Sequence, residues 1–251
     1  MDDEHRRGGP AGDRAAVEAA KRDVRHRVWE RLDELRVTRF PGAHGRIPNF
    51  VDAERAAAAL AQVPEWAAAW VVKVNPDAPQ LPVRSRALAQ GRVLVMPAPR
   101  LAAEEPFVVL DGASLEEAPR RAAAKERVLE LGTPAAVDEL PHVDLVVCGT
   151  VAVNRAGVRV GKGGGFSDIE YGLLAEAGLV GEGTVVATTV HGAQVLDEDL
   201  PETAHDFRVD LVVTPDEVIR TPERRRSPGI LWQDLTEDTI ASIPALARRR
   251  P

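Results

Sequence analysis

Cysteine is almost missing from this chain of 251 residues; only Cys148 occurs. One thiol can form neither an internal disulfide nor the thiolate cluster of a zinc site, so a reducing, cytoplasmic compartment is expected. Aromatics are scarce at 4%, a bias that accompanies abundant Ala and Arg and is given no functional meaning. Positive charge is not in excess. Lys and Arg total 32 against 39 Asp and Glu, a formal net charge of −7. The basic footprint of nucleic-acid binding is lacking, so no nucleic-acid partner is expected. No apolar run reaches the about 18 residues that span a membrane, and no membrane partner is expected. Met1–Gly12 is charged and Gly-rich, without a signal peptide's apolar core. With 44% hydrophobic and 28% charged residues, a disordered or fibrous chain is excluded. The length suits one substantial α/β domain or two small ones. Nothing in the composition fixes an oligomeric state.

The pattern along the chain is that of alternating helices and strands. Residues 1–12 read as a flexible lead-in. From Asp13 a helix is predicted, with Val17, Val24, Val28, Leu32 and Leu35 on one face. Strands are predicted at Trp70–Val74, Arg92–Met96, Phe107–Leu110, Val143–Cys148, Thr184–Val190 and Val209–Val213. The Val143–Cys148 run is nearly all apolar, as in a parallel sheet covered on both faces. Val151–Val153 and Val158–Val160 flank Asn154-Arg155-Ala156-Gly157, a hairpin signal. Helices are predicted over Ser85–Gln90, over Ser114–Leu131 with a Ser114/Glu117 capping box, and over Asp168–Ala177. These elements predict a three-layer α/β/α fold with a mostly parallel sheet. One such domain is expected over 13–222. Arg224–Gly229 reads as a solvated connection, followed by a short helix around Thr236–Arg248.

The sharpest local feature is Gly161-Lys162-Gly163-Gly164-Gly165-Phe166-Ser167-Asp168. It follows the hairpin and opens a helix, and Ser167 and Glu170 have capping-box spacing. Free N–H groups at a helix start suit an anion, and glycines let backbone approach a phosphate. A tight strand-to-helix turn would need glycine too, although three in a row exceed what one turn requires. The lysine precedes the glycine run, so this is no Walker A loop, and Phe166 stands where a dinucleotide fingerprint has its last Gly. Lys21 falls inside the apolar stripe of the first helix and must either snorkel or meet an anion; Arg25 lies one turn on. The pair would hold a polyphosphate or else belong to a solvated, Arg-rich face. Asp168 and Asp206 are candidate Mg²⁺ ligands. By residue type alone, a helix-dipole partner and a loop carboxylate are the commoner roles for them. His191 follows a strand, where open α/β sheets place ligands, though a structural histidine is the commoner case. His205 is expected to orient a loop, and Cys148 to be core. The His and carboxylate spacings do not match zinc.

Several of these motifs, in this order, resemble the 5-formyltetrahydrofolate cyclo-ligase (methenyltetrahydrofolate synthetase) family. They are Lys21–Arg25, Arg159–Asp168 and His205–Thr214, and the likeness runs roughly over Lys21–Thr221. Arg46–Phe50, Lys73–Gln80, Gly165–Tyr171 and Thr189–Val195 resemble a paralogous branch that includes methenyltetrahydrofolate synthetase domain-containing proteins. The resemblance implies a Rossmann-like three-layer fold and the use of ATP and Mg²⁺ on a reduced folate or related heterocycle. It implies that Lys21 and Arg25 bind ATP phosphates, that Gly161, Lys162, Gly163, Gly164, Gly165 and Phe166 form the nucleotide loop, and that Asp168 and Asp206 contact the metal. Lys21, Arg25 and Asp168 would then be catalytic. In the family's reaction the formyl oxygen of 5-formyltetrahydrofolate is phosphorylated, N10 attacks the activated carbon, and phosphate leaves as the ring closes. This chain departs from the cyclo-ligase pattern in three places. Ser167 replaces an aromatic, Ile169 replaces an arginine, and Pro79–Arg84 offers no counterpart of the folate-binding glutamate. The nucleotide site therefore carries over better than the folate site, and weak turnover of 5-formyltetrahydrofolate is expected. A paralogue with another metabolic role, such as a thiamine-related one, and a non-catalytic nucleotide- or folate-binding module are the alternatives.

Overall fold

The computed structural model describes residues 10–251 apart from Pro228, with side chains from Arg14 onward. Its first helix, α1, spans Pro10–Glu34, so it begins three residues before the expected Asp13. Met1–Gly9, the rest of the expected lead-in, lies outside the described residues. After α1 come α2 (Ala53–Leu60), α3 (Pro64–Ala68), β1 (Val71–Val74), α4 (Leu81–Ala89), β2 (Val93–Pro97) and β3 (Phe107–Asp111). The chain continues through α5 (Pro119–Ala122), α6 (Lys125–Leu131), β4 (Thr133–Ala135), β5 (Leu145–Cys148), β6 (Ala152–Asn154) and β7 (Arg159–Val160). It ends with α7 (Phe166–Glu176), β8 (Val185–Thr189), β9 (Val195–Leu196), β10 (Leu211–Val213), β11 (Val218–Arg220), α8 (Glu237–Ser242) and α9 (Pro244–Arg249).

Eight strands form one sheet in the order β11-β10-β8-β5-β1-β2-β3-β4. The run β10-β8-β5-β1-β2 is parallel throughout, and β11, β3 and β4 extend the edges antiparallel. The central strands are buried on both faces, which is why they read as apolar runs with little alternation. One face, with Val71, Val95, Val146, Cys148, Val186 and Val212, packs on α7 and the C-terminal helices. The other, with Val72, Val74, Leu94, Leu145, Val147, Ala187 and Val213, packs on the α2–α6 side. The result is the expected three-layer α/β/α architecture. A second, small sheet β7-β6-β9 contains the predicted hairpin. There Val24, Val28 and Leu32 of α1 bury against Val151, Ala152, Val158 and Val160. No described helix is long and apolar enough to cross a membrane.

Three expectations fail for local reasons. Ser114–Leu131 is not one helix. Ser114 sits in a 3₁₀ turn capped by the Asp111 side chain, and its own Oγ donates to Asp111 O at 3.2 Å. Pro119 then starts α5, with Ala118 held out of the helical region, as a following proline requires. Pro244 likewise splits the C-terminal helix into α8 and α9. The Arg224–Arg226 run is not merely solvated. Arg226 pairs with the buried Asp210, Arg224 reaches the same carboxylate at 3.3 Å, and Arg225 meets Glu202 at 3.0 Å.

Candidate functional site

Strand β1 is the topological switch point of the sheet. The chain leaves it toward β2 on one side and later returns on the other as β5. Ligands of open α/β sheets bind outside the carboxyl ends of strands at such a point. Here those ends open into a cleft of about 920 Å³. Its walls are the β1 exit (Asn75–Ala78), Gly149 after β5, and the segment from Gly161 to Asp168 with Glu170. The loop after α1 closes the far side, with Phe40 almost fully exposed at the rim.

Behind the glycine loop, two cations arrive on α1. Because Lys21 shares the face of Val24 and Val28, packing those valines on the small sheet buries the lysine as well, to 5% exposure. Its Nζ donates to Asp206 Oδ2 at 2.6 Å. Asp206 also accepts from Thr203 N at 2.6 Å and Thr203 Oγ1 at 2.9 Å. Burial alone would raise this carboxyl, but Lys21 and the Thr203 N–H outweigh it and hold Asp206 below its ordinary value. Arg25 Nε donates to Gly161 O at 2.7 Å. Its guanidinium lies under Gly163, where a Cβ would stand 3.3 Å from Cζ and where φ is +105°. The backbone angle is the one that favours glycine, and the arginine beneath leaves a side chain little room. Arg159 of β7 pairs with Asp168 and stacks on the Phe207 ring at 3.9 Å. Burial pushes the Asp168 carboxyl up, and the Arg159 charge opposes it.

The glycine loop enters α7 differently from the expectation. Gly165 is the N-cap, at φ 66°, so Ser167 and Glu170 both lie inside the helix and form no capping box. Their side chains turn to β1 instead. Asn75 Nδ2 donates to Ser167 Oγ at 3.2 Å, and Lys73 pairs with Glu170 in the core. Lys73 Nζ also donates to Asn75 Oδ1 at 2.9 Å. Arg84, fully buried on α4, donates to the carbonyls of Asn75 at 2.6 Å and Asp77 at 3.1 Å and so fixes the β1 exit. Burial lowers its pKa to about 10.

The Lys21–Asp206 and Arg159–Asp168 pairs are neighbours, close enough for Asp206 and Lys21 to act on the Asp168 charge, and Arg25 joins them through the loop. Lys162 is half-exposed in the cleft wall, 3.6 Å from Asp77. His191 does not line the cleft; it is a structural histidine, the commoner case for its type. Its Nδ1 accepts from Ala193 N at 3.1 Å, which caps the turn Gly192–Gln194, and its ring rests on Phe50. His205 orients the 203–206 loop through Thr203. Cys148 is core, its thiol raised by burial. Among the described residues no three His, Cys, Asp or Glu side chains gather as a metal cage. The residues that sequence reasoning passed over are Lys73, Asn75, Arg84, Arg159 and Glu170. The available signal was Lys73 itself, a charge inside a buried apolar strand that must have a partner.

The family model for 5-formyltetrahydrofolate cyclo-ligases matches residues 17–215. The chain belongs to the 5-formyltetrahydrofolate cyclo-ligase family. Within this family it is 37% identical over 238 residues to a bovine (Bos taurus) methenyltetrahydrofolate synthase domain-containing protein, covering 92% of this chain and 62% of the relative. It is 39% identical over 236 residues to the zebrafish (Danio rerio) protein of that name, covering 92% and 61%. The cyclo-ligase-like chain thus spans about three fifths of the length of these curated relatives. The solved Aquifex aeolicus 5,10-methenyltetrahydrofolate synthetase has the same fold, with a TM-score of 0.50 at 18% identity over 87% of this chain and 99% of that one.

Proposed function

We propose that this protein binds Mg-ATP along Gly161–Phe166 and uses it to activate a carbonyl oxygen of a small heterocycle, in ring closure of the cyclo-ligase type or a related reaction. The observation that carries this reading is the convergence of three buried cations, Lys21, Arg25 and Arg159, on the glycine loop that opens α7. A helix start of this kind presents free N–H groups and the positive end of its dipole to a phosphate. When bound, ATP supplies the phosphoryl group that converts a carbonyl oxygen into a leaving group. Arg25 fixes the loop backbone through Gly161 O. Lys21 and Arg159 are held at the cluster by carboxylates and neutralise phosphate charge. Asp168 and Asp206 are the hard oxygen donors for Mg²⁺ beside the phosphates. Little covalent work falls to the side chains; they position reactants and neutralise charge.

The substrate end supports a related heterocycle rather than 5-formyltetrahydrofolate itself. Ser167 and Ile169 stand in place of an aromatic and an arginine, and Gln80, in the segment without the glutamate, is buried and turned toward Thr189. The test follows absorbance at the methenyl-folate band with purified protein, 5-formyltetrahydrofolate, ATP and Mg²⁺, alongside calorimetry with Mg-ATP. The expected result is nucleotide binding with turnover well below an ordinary enzyme rate of about 1 s⁻¹. Turnover at that rate would make the protein a plain cyclo-ligase, and absence of Mg-ATP binding would overturn the nucleotide assignment.

A further inference from the structure

Glu170 is an expensive residue to place where it stands. It lies one turn into α7, beneath the cleft, and is 4% exposed. Its counter-ion, Lys73, sits mid-strand in β1 at 2% exposure. Taking both charges out of water costs several kcal/mol per ion, and apolar residues of similar volume would serve the core at least as well. Yet Glu170 also lines the cleft, as do Asn75 and Ser167. Lys73 and the Asn75 amide approach only Oε2 of its carboxylate. Its Oε1 accepts no hydrogen bond from the described residues. The wall thus presents a carboxylate acceptor, an amide and a hydroxyl side by side.

The charge balance narrows the ligand. Lys73 neutralises Glu170 locally, so the wall has little net attraction for a cation, and an acceptor oxygen excludes a phosphate. What it fits is a neutral ring that offers N–H donors. We propose that Glu170, held by Lys73 and flanked by Asn75 and Ser167, is the specificity-determining residue for the substrate, reading the N–H edge of an amino-substituted nitrogen heterocycle. This rests on the reading that the cleft holds nucleotide and heterocycle together. It separates a phosphate end, built on α1 and the glycine loop, from a heterocycle end built on β1 and α7.

The test uses the full chain with Mg-ATP present and two fluorescent probes, pterin and lumazine. They share a ring system, but lumazine has a carbonyl where pterin has its amino group. The wild type should bind pterin at least tenfold more tightly. Glu170→Gln should bring that ratio close to one while leaving Mg-ATP affinity within twofold of wild type. Because Glu170→Gln leaves Lys73 charged and unpaired in the core, Lys73→Met/Glu170→Gln serves as the charge-balanced companion and should lose the preference equally. A loss of overall fold alone would weaken both probes and ATP together, not their ratio. A variant that keeps the pterin preference overturns the assignment, as does a wild type that binds neither probe or does not distinguish them. If the preference behaves as stated but Mg-ATP does not bind, the nucleotide reading fails and the Glu170 assignment stands.

Discussion

The two ends of the cleft handle buried charge in different ways. At the glycine-loop end the cations come from separate elements, α1 and β7, and meet carboxylates at Asp206 and Asp168. A motif announces most of these residues, since the glycine loop and the lysine in an apolar stripe are local patterns. At the other end Lys73 and Glu170 lie 97 positions apart in the middle of a strand and a helix. Lys73 signals that a partner must exist, but only the fold, which places Glu170 above it, says which residue that is. The first arrangement is nearly as buried, but it is a cluster of several charges beside the glycine loop, of which Arg159 and Asp168 line the cleft. The second is sealed on the core side and opens only upward into the cleft. Charges shared among several partners can be redistributed on binding; a single pair in the core must already be balanced.

The largest effect should come from breaking the core pair. Lys73→Met leaves Glu170 buried without a partner and should cost about 3–5 kcal/mol in urea unfolding, whereas Lys73→Met/Glu170→Leu should recover most of it. A single-variant cost below about 1 kcal/mol, the range of solvent-exposed pairs, would show that the pair is open to water and would erase the contrast between the two ends.

A smaller effect belongs to the glycine-loop end. Lys21→Ala should weaken Mg-ATP binding by about 1–3 kcal/mol, the scale of a hydrogen bond to a charged group. Equal affinities for wild type and variant in calorimetry would remove Lys21 from the nucleotide site.

The subtlest test is pH, where Asp206 and Glu170 should respond with opposite sign. Asp206 is held below the ordinary value of about 3.9, so its contribution to stability is complete above that pH and is lost as pH falls through the folded value. Glu170 is raised, burial being the main cause and Lys73 opposing it. Its folded form retains the proton longer, so this contribution is present below about 4.3 and is lost as pH rises through the folded value. Urea midpoints followed from pH 3 to 8 should lose part of their acid decline in Asp206→Asn. In Glu170→Gln they should lose part of their fall above pH 4. Parallel profiles for the two variants would contradict the contrast.

Much of this fold was legible because its signals are local. The buried strands read as apolar runs, the first helix carried a clear stripe, and Asn154–Gly157 marked the hairpin. The failures were of two kinds. Pro119 and Pro244 each divide a stretch whose apolar spacing continues across them, and periodicity overruled the proline in the reading. Ser167 and Glu170 had capping-box spacing, but Gly165 already supplies the left-handed entry to α7, and both side chains are taken by β1. No pattern within either segment could have shown this, because the partner of each residue is fixed only by strand order. The same holds for Arg84, whose carbonyl partners include Ala123 at 2.9 Å, and for Arg159, whose place opposite Asp168 depends on how β7 meets α7.

The bond between Lys21 and Asp206 joins positions 185 apart, and this has a consequence for the timing of synthesis. A ribosome working at roughly 5–20 residues per second needs on the order of 10–40 s to carry the chain from one to the other. Throughout that interval α1 has been made, while the carboxylate that neutralises its inward-facing lysine has not. Its apolar face is also waiting, since β6 and β7 emerge only after most of the sheet. The helix that carries Lys21 and Arg25 is therefore made well before the strands and the carboxylate on which it docks.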